Sequence, residues 1–175
     1  MTLTAALRAT ALVFIVSLLQ AVVFSSTPVF GGAPDLLLVT IVAVGLLRGS
    51  VVGAFAGFAG GMVVDLVTLD TLGVTSLVFT LAGFWAGRYA ETTGRGRASA
   101  PFTSVAVITV LAAVFGFALR YLLGEEVVAH QALISALLPA FVMNILLAFP
   151  LYRLVRRILG VRHAVERTPE VELVV

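Results

Sequence analysis

The sequence predicts an all-α fold, a polytopic membrane bundle of six transmembrane helices. Of its 175 residues, 61% are apolar and 11% are charged, whereas soluble domains are nearer half apolar and a quarter charged. The mean hydropathy is +1.15, and the apolar runs approach the roughly 20 residues that a span requires. We expect the bundle to cover residues 1–160 and residues 161–175 to form a cytoplasmic C-terminal tail.

Six apolar segments follow one another, separated by short breaks. The first is interpreted as an uncleaved anchor, because no cleavage site of small residues closes its apolar run and further spans follow. Pro34 opens helix 2 at the first helical position, where its missing N–H costs nothing. Ser99 and Pro101 give a start for helix 5. The predicted helices are 4–24, 34–47, 50–67, 72–89, 101–122 and 129–155.

A turn is predicted at Arg48-Gly49-Ser50, the one interruption of a long apolar stretch. A single helix through this stretch would be about 50 Å long at about 1.5 Å per residue. The hydrocarbon core of a bilayer is only about 30 Å thick. Helices 2 and 3 are therefore expected to form a tight hairpin, in which helix 2 is short enough to be a partial or broken span.

The arginines predict the orientation in the membrane. All eleven basic residues are arginine, and six spans put both termini on one side. Only Arg120 falls on the opposite side, and this asymmetry places both termini in the cytoplasm of a multi-pass plasma (inner) membrane protein. The ten arginines on the terminal side are Arg8, Arg48, Arg88, Arg95, Arg97, Arg153, Arg156, Arg157, Arg162 and Arg167.

The composition argues against catalysis. The chain has no cysteine, which excludes disulfides and thiolate chemistry. Its two histidines, His130 and His163, fall on opposite sides of the predicted membrane and cannot share a metal. No metalloprotease, hydrolase or nucleotide-binding motif is present. The sequence therefore predicts a protein that is not an enzyme and that uses no metal, no cofactor and no nucleic acid.

A row of glycines lies along helix 3. Gly53, Gly57 and Gly61 are four residues apart and share one broad face. Glycines at this spacing in an apolar helix let another helix approach to backbone contact. That helix belongs either to the same chain or to a partner. Within the chain, helix 4 is a candidate because Gly83 and Gly87 have the same four-residue spacing.

Two carboxylates stand out at helix ends. Asp35, in the first turn of helix 2, is predicted to cap free N–H groups there, with a direct partner contact as the alternative. Asp65 falls near the C-terminal end of helix 3, where the dipole disfavours an anion, so capping does not explain it. It is predicted to pair either with Arg120 or with a group of a partner, since an unpaired charge in the membrane is costly.

Polar residues of helix 6 have simpler interpretations. Asn144 lies mid-span and is predicted to form an interhelical hydrogen bond, with a ligand contact as the alternative. The cluster of Arg153, Arg156 and Arg157 is expected to anchor the chain to anionic lipid or, alternatively, to meet a cytoplasmic partner.

Three motifs occur in a fixed order. Pro34-Asp35-Leu36 opens helix 2, Gly53-x-x-x-Gly57-Phe58-x-x-Gly61-x-x-x-Asp65 lies along helix 3, and Leu72-Gly73 opens helix 4. Together with the length and the six spans, they resemble the MreD family of rod-shape-determining membrane proteins over about residues 1–160. Two departures are Thr71, where members often carry proline, and Thr75, where they often carry histidine or asparagine.

This resemblance implies a fold similar to the substrate-binding membrane component of energy-coupling-factor transporters. It also implies a non-enzymatic scaffold of the cell-elongation complex that builds peptidoglycan. The implied partner is an MreC-like single-span protein, with RodA, a class B penicillin-binding protein and the MreB filament nearby. The family-motif positions in this chain are Pro34, Asp35, Gly57, Phe58, Gly61, Asp65 and Gly73.

The alternative is the substrate-binding subunit of a vitamin-type importer. Such a subunit needs a pocket near the outer face with convergent polar groups. The sequence offers few of them, chiefly Asp35, Asp65, Arg120, Gln131 and Asn144.

Overall fold

The computed structural model describes residues 3–24, 34–93, 99–124 and 129–160. Every regular element in these ranges is helical, so the all-α prediction is confirmed for this part of the chain. The first helix ends in a π-helical turn, Gln20–Phe24. The helices are α1 (Leu3–Leu19), α2 (Leu36–Arg48), α3 (Ser50–Thr68), α4 (Val74–Thr93), α5 (Ala100–Leu122) and α6 (Ala129–Ile158).

A single residue joins α2 to α3, which confirms the predicted hairpin turn. Gly49 has φ +96°, in a region that side chains rarely tolerate and glycine enters freely. Its N–H donates to the carbonyl of Gly45 at 2.8 Å and closes the last turn of α2. The long apolar stretch is therefore two helices, and the glycine permits the reversal between them.

The centre of the bundle is α2. Every residue from Leu37 to Leu47 is buried, and α2 packs against each of the other five described helices. A helix that is apolar on all sides is expected in such a position. Its 13 residues span only about 20 Å at about 1.5 Å each, so α2 is shorter than a bilayer core.

Three of the described helices are long and apolar enough to cross a membrane, namely Ser50–Thr68, Ala100–Leu122 and Leu137–Ile158. Six full spans, the cytoplasmic termini and the likeness to transporter components stay predictions. The predicted loop at 25–33, the basic stretch 94–97, Glu125, Glu126 and the tail 161–175 lie outside the described residues.

Candidate functional site

The N-terminus of α2 is capped by Asp35. The Oδ1 atom of Asp35 accepts the N–H of Leu38 at 2.8 Å, which confirms the capping role predicted for this residue. The backbone N–H of Asp35 itself donates to Oδ1 of Asn144 in α6, also at 2.8 Å. A carboxylate at this position lies at the positive end of the α2 dipole, which stabilises its charge.

Two further side chains complete this polar network. Gln20 accepts the N–H of Leu36 at 3.0 Å through Oε1 and donates to the carbonyl of Pro34 at 3.3 Å through Nε2. Asn144 donates to Oγ1 of Thr109 at 3.3 Å, which confirms its predicted interhelical hydrogen bond. Neither Gln20 nor Thr109 was predicted as part of a site, although a glutamine inside an apolar segment is itself a signal for a buried partner.

The network lies deep in the bundle rather than at its end. Asn144 is at the middle of α6, which has 30 residues. At the other end of α2, the guanidinium of Arg48 donates to the carbonyl of Leu159, just after α6. Therefore α2 runs beside only one half of α6. Backbone that is not helical, such as the segment before α2, is tolerated deep in a helical bundle when protein groups satisfy it.

The glycine row of α3 is covered by α4. A Cβ added at Gly53 would lie 2.3 Å from the carbonyl oxygen of Gly83, and one at Gly57 would lie 2.0 Å from that of Phe79. At Gly61 it would lie 2.5 Å from Cα of Ser76. The predicted approach of helix 4 to this row is confirmed. The expectation that a partner's helix occupies this row is not met, since α4 fills it.

Asp65 caps the following helix rather than its own. Its Oδ2 atom accepts the N–H of Gly73 at 2.8 Å and that of Ser76 at 3.4 Å, both at the start of α4. The side chain is fully buried, at 0% exposure. Capping therefore does account for Asp65, contrary to prediction, because α4 presents its positive end beside the negative end of α3.

The opposite end of the α3–α4 pair repeats this arrangement. Glu91, in the last turn of α4, accepts the N–H of Ser50 at 2.8 Å and its hydroxyl at 3.1 Å. Ser50 is the first residue of α3. Each helix thus ends in a carboxylate that caps the start of its antiparallel neighbour. Glu91 was not predicted, because the predicted helix 4 ended at residue 89, whereas α4 continues to Thr93 and places this acid in its last turn.

Arg120 pairs with Asp70, not with Asp65. Its Nη2 atom lies 2.7 Å from Oδ2 of Asp70, in the turn between α3 and α4. The predicted Asp65–Arg120 pair is therefore wrong. The pKa of Asp70 lies below its usual value: burial raises it, but the N–H of Thr71 and the Arg120 guanidinium lower it further. This ion pair ties the C-terminal end of α5 to the α3–α4 turn.

The remaining motif residues have distinct environments. Pro34 is buried and lies before α2, not at its first helical position as predicted, because Asp35 is the N-cap and the helix begins at Leu36. Phe58 is 52% exposed, on the outer side of α3, and its carbonyl accepts the hydroxyl of Ser76 at 2.9 Å. Gly73 has φ +93°, and a Cβ there would meet open space, so backbone conformation rather than crowding favours glycine in this turn.

Two open cavities lie on the outside of the described bundle, and both are apolar. One, of about 390 Å³, is a groove between α1 and α3 whose only polar lining residue is Thr10. The other, of about 180 Å³, lies between α4 and α5 beside Trp85. Among the described residues, no group of three histidine, cysteine or acidic side chains is arranged to hold a metal.

A comparison with protein-family models identifies the chain. The model described as "rod shape-determining protein MreD" matches residues 3–160. The chain belongs to the MreD family. Membership gives it a role in rod shape determination, in a family of shape-determining proteins rather than enzymes. Together with the three helices that are apolar enough to cross a membrane, it marks the chain as a membrane protein.

The MreD motif residues can now be related to contacts. Asp35 and Asp65 cap helices, while Gly53, Gly57 and Gly61 admit the backbone of α4. A search of curated proteins and of solved structures finds no match.

Proposed function

We propose that this MreD protein is a non-enzymatic membrane scaffold of the cell-elongation machinery, and that it holds an MreC-like single-span partner. RodA and a class B penicillin-binding protein are the further components that such a scaffold would keep close to peptidoglycan synthesis. In this proposal all six helices cross the plasma membrane and both termini are cytoplasmic, as the arginine asymmetry predicts.

The observation that carries the proposal is that the motif residues contact other parts of the same chain. The carboxylates of Asp35 and Asp65 accept backbone N–H groups, and the glycines of α3 are in contact with α4. These residues fix the relative positions of α2, α3 and α4. A rigid bundle of this kind can hold a partner on an outer face, and it requires no reacting group.

The groove between α1 and α3 is the face that we assign to the partner's helix. Small residues line the groove on both sides. They include Ala6 and Ala9 of α1 and Ala56 and Ala59 of α3. Between apolar helices in lipid, affinity comes from close packing and interhelical hydrogen bonds rather than from hydrophobic burial. Small side chains permit that packing, and Thr10 offers a hydroxyl beside them.

Co-purification with an MreC-like protein tests the proposal. Ala59→Leu adds bulk to the groove at an exposed position, so recovery of the partner should fall severalfold while the melting temperature stays near that of the parent. Ala113→Leu is the matched control, because this alanine of α5 does not line the groove. Failure of the parent to retain the partner would refute the scaffold. Equal recovery with all three proteins would refute only the assignment of the groove.

The importer alternative has less support. A vitamin site needs several convergent polar groups in a pocket. The cavities at the described residues are lined almost wholly by apolar side chains, and Asp65 and Asn144 are committed to internal hydrogen bonds.

A further inference from the structure

Two guanidinium groups approach the turn that ends α6. Arg48, the last residue of α2, donates from Nη2 to the carbonyl of Leu159. Arg8, in the second turn of α1, brings Nη1 to 3.8 Å from the position of a Cβ at Gly160. Arginines from two different helices therefore converge on two successive residues.

Capping of α6 accounts for only part of this arrangement. A cation at the C-terminus of a helix is favourable, and the bond from Arg48 to Leu159 serves that purpose. A guanidinium, however, carries five N–H donors. The Nε of Arg48 is buried and has no hydrogen-bond partner, and a buried donor without an acceptor is costly.

The described carboxylates do not balance these two charges. The ion pairs among the described residues join Arg88 to Glu91 and Arg120 to Asp70, and neither includes Arg8 or Arg48. Leu7, which adjoins Arg8, is 62% exposed, and Leu154, in the last turns of α6, is 53% exposed. Positive charge beside exposed apolar side chains matches a ligand that has both an anionic group and acyl chains.

We propose that Arg8 and Arg48 bind the phosphate of an anionic phospholipid at the end of α6. Guanidinium groups match phosphate oxygens with paired, charge-assisted hydrogen bonds. The acyl chains of the lipid then lie along the apolar surface beside this end of the bundle. The site concerns only this chain and lipid, and it does not depend on any protein partner.

Lipid titration of the purified full chain in detergent, followed by native mass spectrometry, tests the site. The probes are phosphatidylglycerol, phosphatidylcholine and inorganic phosphate. We expect the parent to bind phosphatidylglycerol in preference to phosphatidylcholine. Arg8→Gln should weaken that binding at least about tenfold, the ratio expected from the loss of one charge-assisted hydrogen bond. Arg48→Lys keeps the charge but loses the planar fork, and it should weaken binding as well.

Arg120→Gln is the matched control. Arg120 pairs with Asp70 just beyond the end of α3, whereas Arg48 lies just before the start of α3, so its loss removes the same charge at the opposite end of the bundle. It should leave the phosphatidylglycerol affinity within about twofold of the parent value. Parent-like affinity in Arg8→Gln would overturn the proposal, as would equal losses in the Arg8 and Arg120 variants. Binding of inorganic phosphate as strong as that of phosphatidylglycerol would show a free-anion site and overturn it too.

Discussion

Asp65→Ala is expected to destabilise the bundle by removing the acceptor for the first N–H groups of α4. The N–H groups of Gly73 and Ser76 share Oδ2 of Asp65 in the parent. Ser76 is only 1% exposed, so water does not readily replace that acceptor. The variant would leave a buried donor at the start of the helix that covers the glycine row.

The size of the effect follows from the geometry. Hydrogen bonds to charged groups contribute about 1.5–3 kcal/mol. The bond from the N–H of Gly73, at 2.8 Å, is expected to make the main contribution to the stability that is lost. Removing a fully buried carboxylate also relieves its own desolvation cost, which offsets part of the loss. We therefore expect the free energy of unfolding to fall by about 2 kcal/mol. For a chain of this length, that corresponds to a melting temperature lower by about 4–8 °C.

The assay is thermal unfolding in detergent, with Asp70→Asn as the control. Asp70 forms an ion pair with Arg120 in which both side chains are more than a third exposed, at 35% and 38%. Such pairs contribute about 0–1 kcal/mol, so the control should melt close to the parent. Asp65→Asn keeps an oxygen acceptor without the charge and should fall between Asp65→Ala and the parent.

A double-mutant cycle separates this explanation from a pair between Asp65 and Arg120. The effects of Asp65→Asn and Arg120→Gln should add within about 0.5 kcal/mol, because the two side chains do not share a hydrogen bond. A coupling free energy above about 1 kcal/mol between them would refute the capping explanation. Unchanged stability of Asp65→Ala would refute it independently.

Three further outcomes are expected. Gly57→Ala should cost about 2 kcal/mol or more and Gly116→Ala almost nothing in thermal unfolding, because a Cβ lies 2.0 Å from backbone at the first site and 3.7 Å from a side chain at the second; equal melting would show that the glycine row is not tightly packed. The folded pKa of Asp70 is lowered from 3.8, so its pair with Arg120 should stabilise the fold slightly above pH 3.8. The small difference in melting temperature between parent and Asp70→Asn should vanish as the pH falls below 3.8 and through the folded pKa. A difference that persists at about pH 2 would contradict the pairing. A reporter fused after Val175 should read cytoplasmic, and an external signal would overturn the predicted orientation.

Much of the fold could be predicted from spacing along the chain. The apolar runs indicated the helices, and Arg48-Gly49-Ser50 indicated the hairpin turn that the structure contains. The cap at Asp35 and the contact of the glycine row with helix 4 were also predicted correctly. Each of these features depends on residues within one helix or in two consecutive helices, where periodicity and turn chemistry carry the information.

The partners of the charged side chains could not be predicted in the same way. Arg120 was one of the two partners predicted for Asp65, the other being a group of a partner protein. In the structure, however, Arg120 reaches Asp70, 50 residues away in sequence. Capping was predicted not to explain Asp65, and no role was predicted for Glu91, whereas each caps its antiparallel neighbour. The choice between nearby acceptors depends on distances of a few ångströms, which sequence patterns do not encode.

The sequence by itself determined a helical membrane protein with a glycine-lined α3 and a capped α2, because hydropathy and local spacing depend on composition and on helical geometry alone. Only the tertiary structure decided that α2 begins deep inside the bundle, where Asp35 meets Asn144 from 109 residues away. The physical reason is that a buried N–H takes the nearest acceptor in space, and the packing of six helices decides which acceptor is nearest.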